Sequence, residues 1–276
     1  MTPNVSEQDL LTFWRSVMDP KRIGMADAIA GEIGAYTGES VPVVLSKMAT
    51  GEKDLKDLWD QISPDVSNPT SVADFYREQF TEAYELANWH CGGLGAAPLS
   101  YAYAANFAQG LQLKRVLDFG SGIGSGSLCF AAVGCEVHAA DIAKRLLAFV
   151  QYRLRARGFN VLTIDLNEKR PSARYYDLIA CFDVIEHLPN QLEKLRELSS
   201  YLRPGGYLLI NLMEDSSNPD RPMHISSAGN ILSIIRQTDL VPDWALRPVD
   251  LQVLVRKPLG RIWNHAASWK DWLQGT

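Results

Sequence analysis

Cysteine is scarce in this 276-residue chain, and its four copies, Cys91, Cys129, Cys135 and Cys181, form no C-x-x-C pair. Nothing therefore calls for a disulfide framework or a metal. Cys129 and Cys181 fall within expected core elements, where a free thiol behaves as a small buried hydrophobe. Basic blocks are missing too: 27 Lys and Arg stand against 32 Asp and Glu, for a net charge of −5. Without a Lys/Arg-rich stretch, electrostatic capture of DNA or RNA is disfavoured, so no nucleic-acid partner is expected. No apolar run approaches membrane-spanning length and the amino terminus is polar. The chain reads as soluble, cytoplasmic and without a membrane partner. Internal repeats and low-complexity linkers are also lacking.

What is present is apolar residue in quantity, 46% of the chain, enough to bury a full α/β core with a sizeable extension. The most informative stretch is Val116-Leu117-Asp118-Phe119-Gly120-Ser121-Gly122-Ile123-Gly124, a short apolar run that turns through three glycines into a helix-like segment. Glycine tolerates positive φ and lacks Cβ, so a ligand can approach the backbone at the carboxyl end of a parallel strand. A dinucleotide fingerprint needs G-x-G-x-x-G/A, but counting from Gly120 the sixth place is Ser125, and from Gly122 it is Ser127. Neither register fits. Asp118, two residues before the first glycine, suits a ligand carrying an ammonium group better than a pyrophosphate.

This segment resembles motif I of the class I S-adenosylmethionine (SAM) dependent methyltransferases, and the resemblance continues through roughly half the chain. Glu136-Val137-His138-Ala139-Ala140-Asp141 is similar to the family's second strand, and Asn160-Val161-Leu162-Thr163-Ile164-Asp165-Leu166 to its third. Tyr176 to Leu188, with Asp183-Val184-Ile185-Glu186-His187 inside it, resembles the fourth-strand signature of the ubiquinone-methyltransferase-like branch. Leu202-Arg203-Pro204-Gly205-Gly206-Tyr207-Leu208-Leu209-Ile210 resembles the turn and fifth strand that follow. The resemblance implies a doubly wound, seven-stranded, mostly parallel sheet of the Rossmann-like methyltransferase kind, with SAM as cofactor. It also implies the cofactor contacts: Asp118, Gly120, Gly122 and Gly124 around the methionine portion, Asp141 at the ribose hydroxyls, Ile142 and Leu166 on the adenine faces, and Asp165 at the adenine edge. Phe182, at the tip of the fourth strand, completes that set.

The chain changes character near Gly110. Before it, almost everything reads helical: Leu10 to Val17 behind the N-cap Ser6, Ile23 to Tyr36 closed by Gly38, a third helix from Ser40-Val41-Pro42 ended by Gly51, a short fourth over Leu55 to Ile62, and a longer fifth from Ser71 to about Trp89. Cys91 to Pro98 breaks the pattern, and Leu99 to Gln109 resumes it. Residues 1–110 are thus expected to form an α-helical N-terminal extension that supplies a substrate pocket or lid, homodimer formation or both. Residues 111–257 are expected to form the SAM-binding methyltransferase domain, with late strands at Leu240 to Leu246 and Leu251 to Arg256, and residues 258–276 a Trp-rich tail.

Methyl transfer needs donor and acceptor held collinear, water excluded, and a proton removed where the acceptor requires it. His187, just after the fourth strand, and His224, ahead of a late helix, are the catalytic candidates, since imidazole titrates near neutrality. Tyr76, Trp89, His90 and Tyr101 are the substrate-side candidates from the extension. The expected function is SAM-dependent methylation of a small-molecule acceptor at O, N, S or C. An NAD-dependent oxidoreductase would share the strand-glycine-acid layout but lacks its third glycine here; a non-catalytic partner subunit of the same fold would not need the intact glycines and acids.

Overall fold

The computed structural model describes residues 5–77, 79–92, 96–211, 231–246 and 251–256. Six helices precede the first strand: α1 (Glu7–Met18), α2 (Met25–Thr37), α3 (Val41–Ile62), α4 (Pro69–Arg77), α5 (Thr81–Cys91) and α6 (Ala96–Gly110). Alternating elements follow: β1 (Arg115–Phe119), α7 (Ser125–Ala132), β2 (Glu136–Asp141), α8 (Lys144–Ala156), β3 (Leu162–Asp165), β4 (Tyr176–Cys181), α9 (Gln191–Tyr201), β5 (Leu202–Asn211), α10 (Ile231–Ile235), β6 (Leu240–Leu246) and β7 (Leu251–Arg256). The strands form one sheet in the order β3-β2-β1-β4-β5-β7-β6. β1 to β5 run parallel, while β7 joins β5 antiparallel and β6 pairs with β7 in the same sense. Strand order reverses between β1 and β4, and such a switch point opens a crevice outside the carboxyl ends of the strands.

Local chemistry explains the early helices. Ser6 accepts the Asp9 amide while the Asp9 carboxylate reaches back to the Ser6 amide, a reciprocal cap that starts α1. Gly38 closes α2 in the left-handed conformation at φ +81°. Gly51 does not end a helix, as its sequence position suggests; α3 runs unbroken from Val41 to Ile62. A Cβ there would lie 2.6 Å from the Glu85 amide nitrogen, so Gly51 is a close-approach residue that lets α5 cross α3 backbone to backbone. The long helix expected from Ser71 to Trp89 is split into α4 and α5. The break parts the aromatic residues of this stretch between two cores: Phe75 and Tyr76 pack with Leu55, Trp59 and Val72, whereas Phe80 and Tyr84 pack with Ile29, Met48 and Phe149.

The sheet is buried on both faces, and period-two alternation decides what each residue meets. Val116 on β1 faces a core containing Leu10 and Trp14 of α1, Tyr103 and Phe107 of α6, and Leu128 of α7. Leu117 and Phe119 face the opposite core with Leu195 and Leu198 of α9. A third core seats Ile33 and Val44 of the extension on Ile123 of the glycine turn and on Leu146 and Phe149 of α8. These cores run continuously across position 110.

Among the described residues no helix is long and apolar enough to cross a membrane.

Candidate active site

A cavity of about 430 Å³ opens at the carboxyl ends of the strands, over the switch point. Its floor is the turn after β1. Gly120, Gly122 and Gly124 all hold positive φ, at +73°, +50° and +76°. Gly120 and Gly122 line the cavity, and a Cβ on Gly122 would stand 2.7 Å from the Leu86 side chain of α5. Gly124 does not line it. It caps α7, and a Cβ there would be 3.0 Å from both Val150 methyls, so this glycine lets α7 and α8 pack closely.

Asp141, at the tip of β2, lines the cavity and is 8% exposed. Its two oxygens accept the amides of Gly122 and Ala143, each at 2.9 Å. The carboxylate thus ties the glycine turn to the start of α8, and each oxygen keeps a lone pair for a ligand donor. Burial raises its pKa, opposed by those backbone amides. Ile142, Leu166 and Phe182 line the same cavity. Asp165 does not; its Oδ1 accepts both the backbone amide of Asn167, at 2.9 Å, and that residue's Nδ2, at 2.7 Å. Asn167 is the side chain that enters the cavity wall, with Nδ2 also donating to the Ile142 carbonyl at 2.8 Å.

Asp118 likewise lies outside the cavity wall. Alternation along β1 turns it to the α6 and α7 side, where it is 1% exposed and accepts the Ser127 hydroxyl at 2.7 Å. Burial pushes its carboxyl up to about 6, with Ser127 pulling the other way and the Asp141 charge adding to the rise. The folded carboxyl therefore holds its proton from the ordinary 3.8 up to about pH 6, while the unfolded chain has released it. The associated stability is complete below the unfolded value, falls as pH rises through this window, and is gone above it. Denaturant titrations between pH 4 and 7 are expected to show wild type losing about 3 kcal/mol relative to Asp118→Asn, which keeps an acceptor for Ser127. Parallel pH profiles for the two proteins would mean that Asp118 ionises there without cost.

Of the substrate-side candidates, Tyr76, His90 and Tyr101 line the cavity; Trp89 sits on the outer side of α5 at 37% exposure. Tyr76 Oη lies 3.4 Å from Nδ1 of His187, which also faces the cavity from the 3₁₀ turn Ile185–His187. Burial with Arg153 nearby drives His90 down to about 3, so it is a neutral imidazole. Its Nδ1 is 2.9 Å from Ser125 Oγ, which itself accepts from Arg153 at 3.0 Å. His224 and residues 258–276 lie outside the described residues.

Several cavity features have no counterpart in the sequence reading. Ser121, 3% exposed, lines the cavity with its buried Oγ unpartnered among the described residues. Asp183 holds a left-handed φ of +54°, fixed by two bonds to Asn211: its amide donates to Oδ1 at 2.7 Å and its Oδ1 accepts Nδ2 at 2.6 Å. An Asx residue two positions past a strand end is a turn signal that marks Asp183 in retrospect. Glu82 and Leu86 carry no such signal; tertiary packing brings them here. An unpartnered hydroxyl, a glycine cradle that methyl groups would fill and an inward-facing carboxylate suit a ligand with both amino-acid and nucleoside parts, as SAM has.

A family model described as a methyltransferase domain matches residues 97–272. Ubiquinone biosynthesis O-methyltransferase of Proteus mirabilis is 32% identical over 117 residues, 41% of this chain and 48% of that protein. The Vibrio vulnificus protein of the same name is 26% identical over 157 residues, 56% of this chain and 66% of its own length. The chain thus spans between about half and two thirds of these relatives. Among solved structures, N-methyltransferase NodS from Bradyrhizobium japonicum, in complex with S-adenosylhomocysteine, aligns with a TM-score of 0.44 at 16% identity, covering 54% of this chain and 82% of that one.

Proposed function

The chain belongs to the methyltransferase-domain family, and from that premise we propose that it transfers a methyl group from SAM to a small-molecule acceptor in the cytoplasm. The observation that carries this reading is the convergence of the glycine turn, the orphaned Ser121 hydroxyl and Asp141 on one cavity at the switch point. SAM, when bound, supplies the activated methyl on its sulfonium. Gly120 and Gly122 leave room for its methionine part, and the Ser121 hydroxyl is an available partner for the carboxylate or ammonium there. Asp141 accepts the ribose hydroxyls, while Ile142, Leu166 and Asn167 form the adenine side. His187, on the cavity wall against Tyr76, is the described histidine positioned to take a proton from an acceptor. The net charge of −5 and four free thiols, two of them buried, fit a small acceptor and a reducing compartment.

Calorimetric titration with S-adenosylhomocysteine tests the reading. Heat with an ordinary small-ligand affinity is expected, and none with NAD; no heat and no thermal shift at millimolar ligand would end the proposal. Asp141→Ala is expected to weaken that binding by about 1–3 kcal/mol, the loss of charge-assisted bonds to hydroxyls together with a loosened glycine turn. Asp141→Asn keeps one carbonyl acceptor for the turn and should fall between. Unchanged affinity in a folded Asp141→Ala protein would place the ribose partner elsewhere.

A further inference from the structure

Besides Asp141 and Asp183, the cavity has a third carboxylate, one that no cofactor motif contains. Glu82 stands in the first turn of α5, on the helical extension, and lines the cavity wall. It is near enough to Asp141 to feel its charge, and among the described residues no cation or donor hydrogen-bonds to it. Burial first, then the Asp141 and Glu85 charges, raise its carboxyl well above the ordinary range. Two acids facing one cavity repel each other unless hydroxyl or cationic donors stand between them. The unpartnered, buried Ser121 hydroxyl on the same cavity is an independent sign that a polar ligand completes this space.

Other residues of α4 and α5 meet the cofactor side as well. Leu86, one turn beyond Glu82 and so on the same face of α5, rests on Gly122. Arg77 of α4 donates to Asn167 Oδ1 at 3.3 Å, and Asn167 in turn holds the Ile142 carbonyl. Ile142 itself packs against the Leu55, Trp59 and Tyr76 core. These contacts fall on the glycine turn and the adenine side.

We propose that Glu82 is a cofactor-binding residue that shares the vicinal ribose diol with Asp141, and that α4 and α5 are the roof of the cofactor site. This rests on the SAM reading above. A diol has two O–H donors, and one carboxylate whose oxygens already accept the Gly122 and Ala143 amides is better matched to it when a second acceptor faces it from above. The extension would then divide its role between cofactor and acceptor. The roof holds the nucleoside, and Tyr101 of α6 lines the same cavity.

The test compares two probes on the full chain: S-adenosylhomocysteine, and 5′-methylthioadenosine, which keeps adenine, ribose and thioether but lacks the amino-acid end. Glu82→Ala is expected to weaken both by a similar factor, on the order of tenfold, because the lost bonds go to the ribose they share. The ligand-free variant should melt no lower than wild type, since removing Glu82 relieves repulsion with Asp141; Glu82→Gln, nearly isosteric, guards against a folding defect and should lose less. If the variants lose S-adenosylhomocysteine but keep 5′-methylthioadenosine, Glu82 faces the cofactor ammonium and the ribose assignment is wrong. If both affinities are unchanged, Glu82 makes no cofactor contact. If wild type itself binds neither probe, the SAM reading falls and this proposal with it.

Discussion

Replacing Glu32 with alanine is expected to destabilise the protein by about 3–5 kcal/mol, because it strips the counter-ion from a guanidinium with no access to water. Arg153 is 0% exposed. Its Nε donates to Glu32 Oε2 at 2.7 Å and its terminal nitrogen to the Ile123 carbonyl at 2.9 Å, while Arg157 Nε donates to the other Glu32 oxygen at 2.6 Å. Arg157 goes on to the Val17 and Met18 carbonyls at the end of α1. One carboxylate from α2 therefore neutralises Arg153 of α8 and Arg157 just past its end, and joins both helices to the glycine turn. Urea denaturation gives the measurement. Glu32→Ala combined with Arg153→Met should recover part of the loss, since the buried charge leaves with its partner and a thioether fills some of the space. A single-variant loss below about 1 kcal/mol would show that water reaches Arg153 and that the network is peripheral.

Gly120→Ala is expected to reduce S-adenosylhomocysteine affinity on the order of a hundredfold while the protein still folds. Two effects add. The residue holds φ +73°, a conformation that costs a non-glycine residue about 1 kcal/mol or more. Its new methyl would also run into Val184 Cγ2 from the segment after β4, and overpacking of this kind costs about 1–3 kcal/mol. The turn must shift or Val184 must move into the cavity, and either harms the site. Adding Val184→Ala removes the clash but not the strain, so it should restore part of the affinity. Gly134→Ala is the control: φ is +85° there, but no atom lies within 4 Å of the added Cβ. It should cost stability by a similar strain and leave binding intact. Equal affinity for wild type and Gly120→Ala would mean that the turn is more yielding than its packing indicates.

The parallel strands were legible as largely apolar runs, three of which close on Gly120, Asp141 or Asp165, because strands covered on both faces by helices favour that composition. The glycine turn was legible for a related reason: positive φ at alternate positions is a demand that the local sequence must meet itself. Helix starts at Ser6 and stops at Gly38 follow the same local logic. Gly51 misled because a glycine permits two things, a helix end or a close helix crossing, and the choice belongs to Glu85, more than thirty positions away. Asp118 shows a subtler limit. Its place beside the motif suggests the ligand, but which face of β1 it occupies depends on the register of alternation and on Tyr101 and Ser127 being there to enclose it.

By itself, then, the sequence determined the parallel α/β architecture, the position of the glycine turn and the acid at the tip of β2, because those rest on local backbone demands and on strand burial. Tertiary structure alone decided that the helical extension shares its cores with the sheet, that Asn167 rather than Asp165 enters the cavity wall, and that Glu82, Leu86 and Arg77 stand over the glycine turn and its flanks. These are contacts between segments distant in the chain, made by side chains whose local sequence is that of any amphipathic helix. Charge and apolar spacing state only that such a helix must bury one face. What that face meets is settled when the helices pack.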